Sequence, residues 1–267
     1  MSKSVITDAL LTAIADAIRT KTGGQASMTP AEMAQEIADI SSGYTAEQIA
    51  EGTYTGDIDT GNATTIKAYA FMGGDMDSIS GAHVTRINNN ALHSSDIASA
   101  SFPLCTACGE YAFYACTNLT SVNLPLLQAV PKYCFWECSS LRSLSLPSAT
   151  LLWDQCLSTA IEEVDFPNVQ QVNGFAFYNM PNIQEIWLPS VTVIQASAFN
   201  TLTGLRTLKL GGTPSSLPTT FCYKCNALTD IYVPWAENQF TGAPWGATNA
   251  TIHYNCTFDS NGNVISG

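Results

Sequence analysis

The feature that most constrains this chain is a repeat. Between about residues 64 and 234 an aromatic ring or a leucine returns at Phe71, Leu92, Phe113, Phe135, Leu157, Phe177, Phe199 and Phe221. The intervals are 21, 21, 22, 22, 20, 22 and 22 residues. A second ladder keeps the same period: Phe102-Pro103, Leu124-Pro125, Leu146-Pro147, Phe166-Pro167, Leu188-Pro189, then Leu210-Gly211 and Val233-Pro234. Two ladders in one period mean about eight copies of a single small unit. No copy can bury its apolar flanks without its neighbours, so the array must stack into a solenoid.

One unit, from Leu127 to Pro147, gives the expected backbone. Two extended segments are joined by a tight turn. Leu141, Leu144 and Leu146 face inward, and Ser143 and Ser145 alternate outward. Pro147 cannot donate to a strand ladder and ends the strand. Each unit buries about five apolar side chains at roughly 1.5–3 kcal/mol each. The predicted fold is therefore a repeat solenoid over 64–234, mainly β, with short turns or helical pieces.

The two ends read differently. Residues 1–43 carry apolar stripes at helical spacing, with Ile6, Leu10, Ile14 and Ile18 and then Met33, Ile37 and Ile40. Gly23-Gly24 separates them, and Thr29-Pro30-Ala31-Glu32 starts the second as a capping box with proline at its first position. Such short helices bury little alone, which suits an attachment or oligomerisation segment. Residues 44–63 are expected to be a neck or linker. Residues 235–267 lose the period and are expected to cap the array. There Thr257-Phe258 and Val264-Ile265 flank an Asn-Gly turn as a hairpin.

Composition narrows the function. The chain has a formal net charge of −12, and both its N-terminal 52 residues and the remainder are acidic. Neither part offers a basic face to nucleic acid or to an anionic bilayer. No apolar run of roughly 18 residues is present, so membrane insertion is not expected. The start of the chain lacks a continuous apolar leader, so no signal peptide is expected. Nine cysteines do not form a complete disulfide set. Cys105-x-x-Cys108 and Cys222-x-x-Cys225 have zinc-ligand spacing, but Cys116, Cys138 and Cys225 follow repeat phenylalanines by three or four residues. That placement makes them small buried hydrophobes of the repeat.

The sequence holds no nucleotide, metalloprotease or serine-hydrolase motif. Asp57-x-Asp59-x-Gly61 is a poor calcium loop, since its glycine comes one place early. The carboxylates of Glu162, Glu163 and Asp165 lie close together, but on the solvent side of a repeat strand. No enzyme activity, metal or cofactor is expected. The repeat does offer a row of outward strand positions. Its C-terminal half carries Glu163, Asp165, Glu185, Trp187, Lys209, Asp230 and Tyr232. Aromatic rings beside carboxylates suit carbohydrate or protein recognition. Burial of Trp187 under another part of the molecule, or a plain solvated face, are the alternatives left open.

The unit resembles the BspA-type (Treponema-type) leucine-rich repeat. Val169-Gln-Gln-Val172-Asn-Gly-Phe-Ala176-Phe177 runs on to Ile183-Gln-Glu-Ile186-Trp-Leu188-Pro189. The pattern returns at Val191-Thr-Val-Ile194-Gln-Ala-Ser-Ala198-Phe199. Six units fit well, and the two over 64–103 fit loosely. The resemblance covers about two thirds of the chain and implies an adhesive solenoid. The segment Leu11-Thr-Ala-Ile-Ala-Asp-Ala-Ile-Arg19, with Met28-Thr-Pro-Ala-Glu-Met33, resembles a short helical element of bacteriophage tail and tail-fibre proteins. That resemblance implies a tail-tip protein made in the bacterial cytoplasm and carried on the virion. The combined expectation is a phage or prophage tail-tip or tail-fibre protein. Its solenoid binds a host surface protein or polysaccharide, and residues 1–43 join other tail proteins. A homo-oligomer is implied, a trimer being common among tail fibres. The alternatives are a BspA-like bacterial surface adhesin, which requires export, and a purely structural tail protein.

Overall fold

The computed structural model describes residues 56–267. The helices expected over 1–43, and most of the neck over 44–63, lie outside the described residues.

The described chain winds as a series of β-coils. Ten parallel strands stack along one side, the strand face: Asp57–Asp59, Ser78–Ser80, Ser99–Ser101, Ser121–Asn123, Ser143–Ser145, Glu163–Asp165, Glu185–Leu188, Thr207–Leu210, Asp230–Tyr232 and Thr251–His253. Hydrogen-bonded ladders join the first four, the next two and the last four. A second row holds shorter strands: Thr65–Ile66, Arg86–Ile87 and Ala107–Cys108, then Ala129–Val130, Leu151–Leu152, Gln171–Val172 and Val193–Ile194. Every pairing in these rows is parallel and joins residues one coil apart, such as Ile186 with Leu208 and Leu208 with Ile231.

The period-two pattern explains the strand face. Leu144 is buried between exposed Ser143 and Ser145, and Leu141 and Leu146 are buried on either side. Ile79, Ile186, Leu208 and Ile231 occupy the same inward column in other coils. The phenylalanine ladder fills the third corner. Phe113 stacks on Phe135 at 5.3 Å, Phe177 on Phe199 at 5.1 Å, and Phe221 on Trp245 at 5.3 Å. Trp245 belongs to the aperiodic C-terminal stretch yet continues the column, so it seals the open end of the core.

The coils extend past both ends of the expected 64–234 array. Asp57–Asp59 pairs with Ser78–Ser80, so residues 57–63 form part of the first coil. Ile58, at 1% exposure, takes an inward position that neither ladder tracks. At the other end Thr251–His253 pairs with Asp230–Tyr232 and adds a last strand within the cap. Thr257–Phe258 and Val264–Ser266 then form the expected antiparallel hairpin. Asp259 pins its loop by accepting from the Asn261 and Asn263 backbone N–H groups, each at 2.8 Å.

Among the described residues the connections are turns and not helices, and none is a helix long and apolar enough to cross a membrane. The reason lies on the third side, the turn side. There a coil bends through two residues in the left-handed region, for example Tyr111 (φ 59°) and Ala115 (φ 55°), or Tyr133 (φ 57°) and Glu137 (φ 62°). Left-handed residues stop a right-handed helix after a single turn. Hydrogen bonds to the next coil hold the bend: the Phe113 N–H donates to Cys134 O at 3.0 Å and the Ala115 N–H to Trp136 O at 2.8 Å.

Candidate functional site

The strand-face residues singled out from the sequence do share one side. Parallel register puts Glu185, Thr207 and Asp230 in one column, and Trp187, Lys209, Tyr232 and His253 in the next. Their side chains are largely engaged with one another. Lys209 Nζ donates to Glu185 Oε1 at 2.6 Å. Tyr232 stacks on His253 with centroids 4.2 Å apart, and His253 Nε2 lies 2.8 Å from Asp230 Oδ1. That hydrogen bond, with a second from Thr229, holds the Asp230 carboxyl below its ordinary range. The C-terminal hairpin folds back over Trp187. Phe258 lies 4.6 Å from its ring, and a Cβ on Gly262 would come within 2.8 Å of ring carbons. Trp187 is therefore half-buried within its own chain. Glu163 and Asp165 remain exposed, and Asp165 accepts from Ser145 Oγ at 2.8 Å. Glu162 is paired with Arg142 at 3.6 Å and lines a shallow polar groove with Gln184 and Arg206.

The turn side carries a feature that the sequence reading missed. Seven aromatic rings form an unbroken strip across five coils. His93 stacks on Tyr114 at 4.8 Å, and Tyr114 meets Tyr111 at 5.5 Å. Tyr111 stacks on Tyr133 at 4.8 Å, and Tyr133 meets Trp136 edge-on at 6.4 Å. Trp136 stacks on Tyr178 at 5.8 Å, and Tyr178 meets Phe175 edge-on at 5.7 Å. All seven are half-buried or exposed. Local sequence explains their placement. His93, Tyr114, Trp136 and Tyr178 each directly follow a buried residue of the phenylalanine ladder, which turns them outward. Tyr111, Tyr133 and Phe175 are the left-handed residues two places before it. Charged groups border the strip: Glu110 and Glu137 are exposed, and Lys132 pairs with Asp154 at 3.6 Å. Burial, and Glu137 beside it, push the Tyr114 hydroxyl above its ordinary range. The signal was available as two columns offset by −2 and +1 from the tracked phenylalanines.

The thiols sit inside. Cys116 Sγ donates to Leu92 O at 3.0 Å, Cys138 Sγ to Phe113 O at 3.0 Å, and Cys225 Sγ to Phe199 O at 3.3 Å. Each thus ties its coil to a carbonyl of the coil before. In the Leu157 coil, which lacks this cysteine, Ser158 Oγ donates to Cys138 O at 2.7 Å. Burial raises the Cys116 thiol to about 11 and pushes Cys138 well up. The Asp57–Gly61 segment is a strand and turn, with the Gly61 N–H donating to Asp59 Oδ1 at 2.9 Å.

Comparison with known proteins agrees with this architecture. The profile described as "BspA type Leucine rich repeat region" matches residues 64–158 and 155–242, in six copies. Among solved structures, a leucine-rich repeat protein from Bacteroides ovatus aligns with a TM-score of 0.53 at 18% identity, over 74% of this chain and 60% of that one. A leucine rich cell surface protein from Faecalibacterium prausnitzii aligns with a TM-score of 0.50 at 19% identity, over 69% of this chain and 67% of that one. This chain thus spans less than two thirds of the length of the Bacteroides protein. A search of curated proteins found no match.

Proposed function

The chain belongs to the BspA-type leucine-rich-repeat family, and from that premise we propose that it is an attachment protein which recognises a cell-surface ligand through the side of its solenoid. The observation that carries this reading is the aromatic strip from His93 to Phe175 on the turn side. Exposed contiguous rings are costly in water, and tyrosine and tryptophan are the side chains that anchor interfaces. The strip rests on a parallel core whose coils cannot shift singly, so its rings are held ready for contact. The strand face is the weaker candidate, because Trp187, Tyr232 and Lys209 are already occupied within the chain. The Faecalibacterium prausnitzii structure described as a leucine rich cell surface protein accords with this adhesin-like role.

Binding of the purified chain to whole bacterial cells tests the reading. Tyr133→Ala with Trp136→Ala is expected to abolish decoration, and Glu163→Gln with Asp165→Asn to leave it unchanged. Undiminished decoration by the first pair sinks the assignment to the strip.

The sequence of residues 11–33 favours one setting for this attachment, a phage or prophage tail whose other proteins hold residues 1–43. In that setting the receptor is a host surface protein or polysaccharide, and the chain is a homo-oligomer on the virion. Antibody against the chain labels particles released by prophage induction if this is right. Label confined to the bacterial surface instead identifies an exported adhesin.

A further inference from the structure

We infer that the partner seated on the aromatic strip is a basic protein surface, one that presents arginine and lysine side chains to Glu110, Glu137 and the tyrosine edges. This rests on the reading of the strip as the recognition site, and it names the class of ligand.

Ring geometry is the first argument. Tyr111 and Tyr133 lie 4.8 Å apart with planes 18° from parallel, and they come from adjacent coils. One face of each ring is therefore turned along the solenoid axis and covered by the other. Trp136 and Tyr178 face one another in the same way, at 17°. What points to solvent is ring edges and phenol hydroxyls. A sugar ring packs on an open aromatic face, and in each of these two pairs the facing surfaces are filled. An arginine or lysine stem can lie along such edges while its head reaches the border of the strip.

Charge is the second argument. Glu110 and Glu137 have no basic partner among the described residues, and Lys132 is neutralised by Asp154 at 3.6 Å. The strip is thus bordered by carboxylates without a basic partner, on a chain of net charge −12. Guanidinium groups bind carboxylates in bidentate pairs, and such pairs fix register as well as sign. An acidic glycan or nucleic acid is repelled by the same carboxylates.

Short synthetic peptides test the inference. They carry arginine, lysine or glutamate at otherwise identical positions in a glycine-serine sequence, and are titrated into the full-length chain beside neutral oligosaccharides of glucose and N-acetylglucosamine. The arginine peptide is expected to bind, more weakly as salt rises, and the glutamate peptide not to bind. Glu137→Gln, which alters no side-chain volume, is expected to weaken the arginine peptide by about tenfold. Glu163→Gln changes net charge equally on the strand face and is expected to leave affinity unaltered. Equal loss in the two variants means diffuse attraction and overturns the proposal. Oligosaccharide binding that depends on Tyr133, with no response to the arginine peptide, also overturns it, while leaving the strip as the recognition site. If cell decoration survives Tyr133→Ala with Trp136→Ala, the recognition reading itself falls.

Discussion

Trp136 and Tyr178 stack with ring centroids 5.8 Å apart although a whole coil separates their backbones. The intervening coil places Ser158 where its neighbours have rings, and Ser158 is fully buried. Its hydroxyl donates to Cys138 O and accepts from the Ala160 N–H. Ser158→Ala leaves that N–H unpaired inside the protein, while the Cys138 carbonyl keeps only the Leu141 N–H. The expected loss is about 1–3 kcal/mol of stability, read as a lower urea midpoint.

Gly262 faces a different constraint. Its φ is +78° and its Cα lies against the Trp187 ring. Gly262→Ala adds both a left-handed penalty and a clash, and the local cost is about 1–3 kcal/mol. The hairpin should lift from the strand face while the coils stay folded. Hydrogen exchange at Thr257–Ser266 is then faster than in the parent, with the Phe113 and Phe135 amides unchanged.

Asp230 gives a pH dependence with a definite sign. The His253 hydrogen bond lowers its pKa in the folded chain. A lowered carboxyl contributes stability that is fully present above the ordinary aspartate range near about pH 3.9 and is lost as pH falls through the lower folded value. The pair is over a third exposed on the His253 side, so solvent screening keeps the effect under about 1 kcal/mol. Urea midpoints measured from neutral pH downward should fall more steeply for the parent than for Asp230→Asn. Identical slopes reject the assignment.

Thiol reactivity reports on the core. Thiolate is the reacting species, and burial disfavours it at Cys116, Cys134 and Cys138. A thiol reagent at mildly alkaline pH is expected to leave these three unmodified in the folded chain. Their modification should appear in step with unfolding in urea, and prompt reaction without denaturant contradicts the packing described.

Much of the fold was legible because the inward columns are chemically uniform. Phe71 to Phe221 and Phe102 to Val233 repeat one requirement, a large apolar group at a fixed place in each coil, and periodicity is how such a requirement shows itself. The end coils were harder to see, since Ile58 and Ile252 lie in coils whose other columns depart from the pattern. The site was less legible for a related reason. Outward positions answer to no common packing demand, so His93, Tyr114, Trp136 and Tyr178 do not announce one column, and buried Ser158 interrupts it. Only the stacking of neighbouring coils makes them contiguous. Trp187 and Tyr232 read as exposed by strand alternation, which is correct for the strand alone. It was the hairpin and His253, remote in sequence, that covered them.

The parallel register has one more consequence. Each coil repeats its predecessor after a translation of about 4.8 Å, so the solenoid behaves as a ruler. Duplicating the stretch of DNA that encodes one coil lengthens the contact strip by one graduation and disturbs neither neighbour. Variation in repeat number among relatives would then tune reach and avidity, while the chemistry of each rung is set independently by the two residues it turns outward.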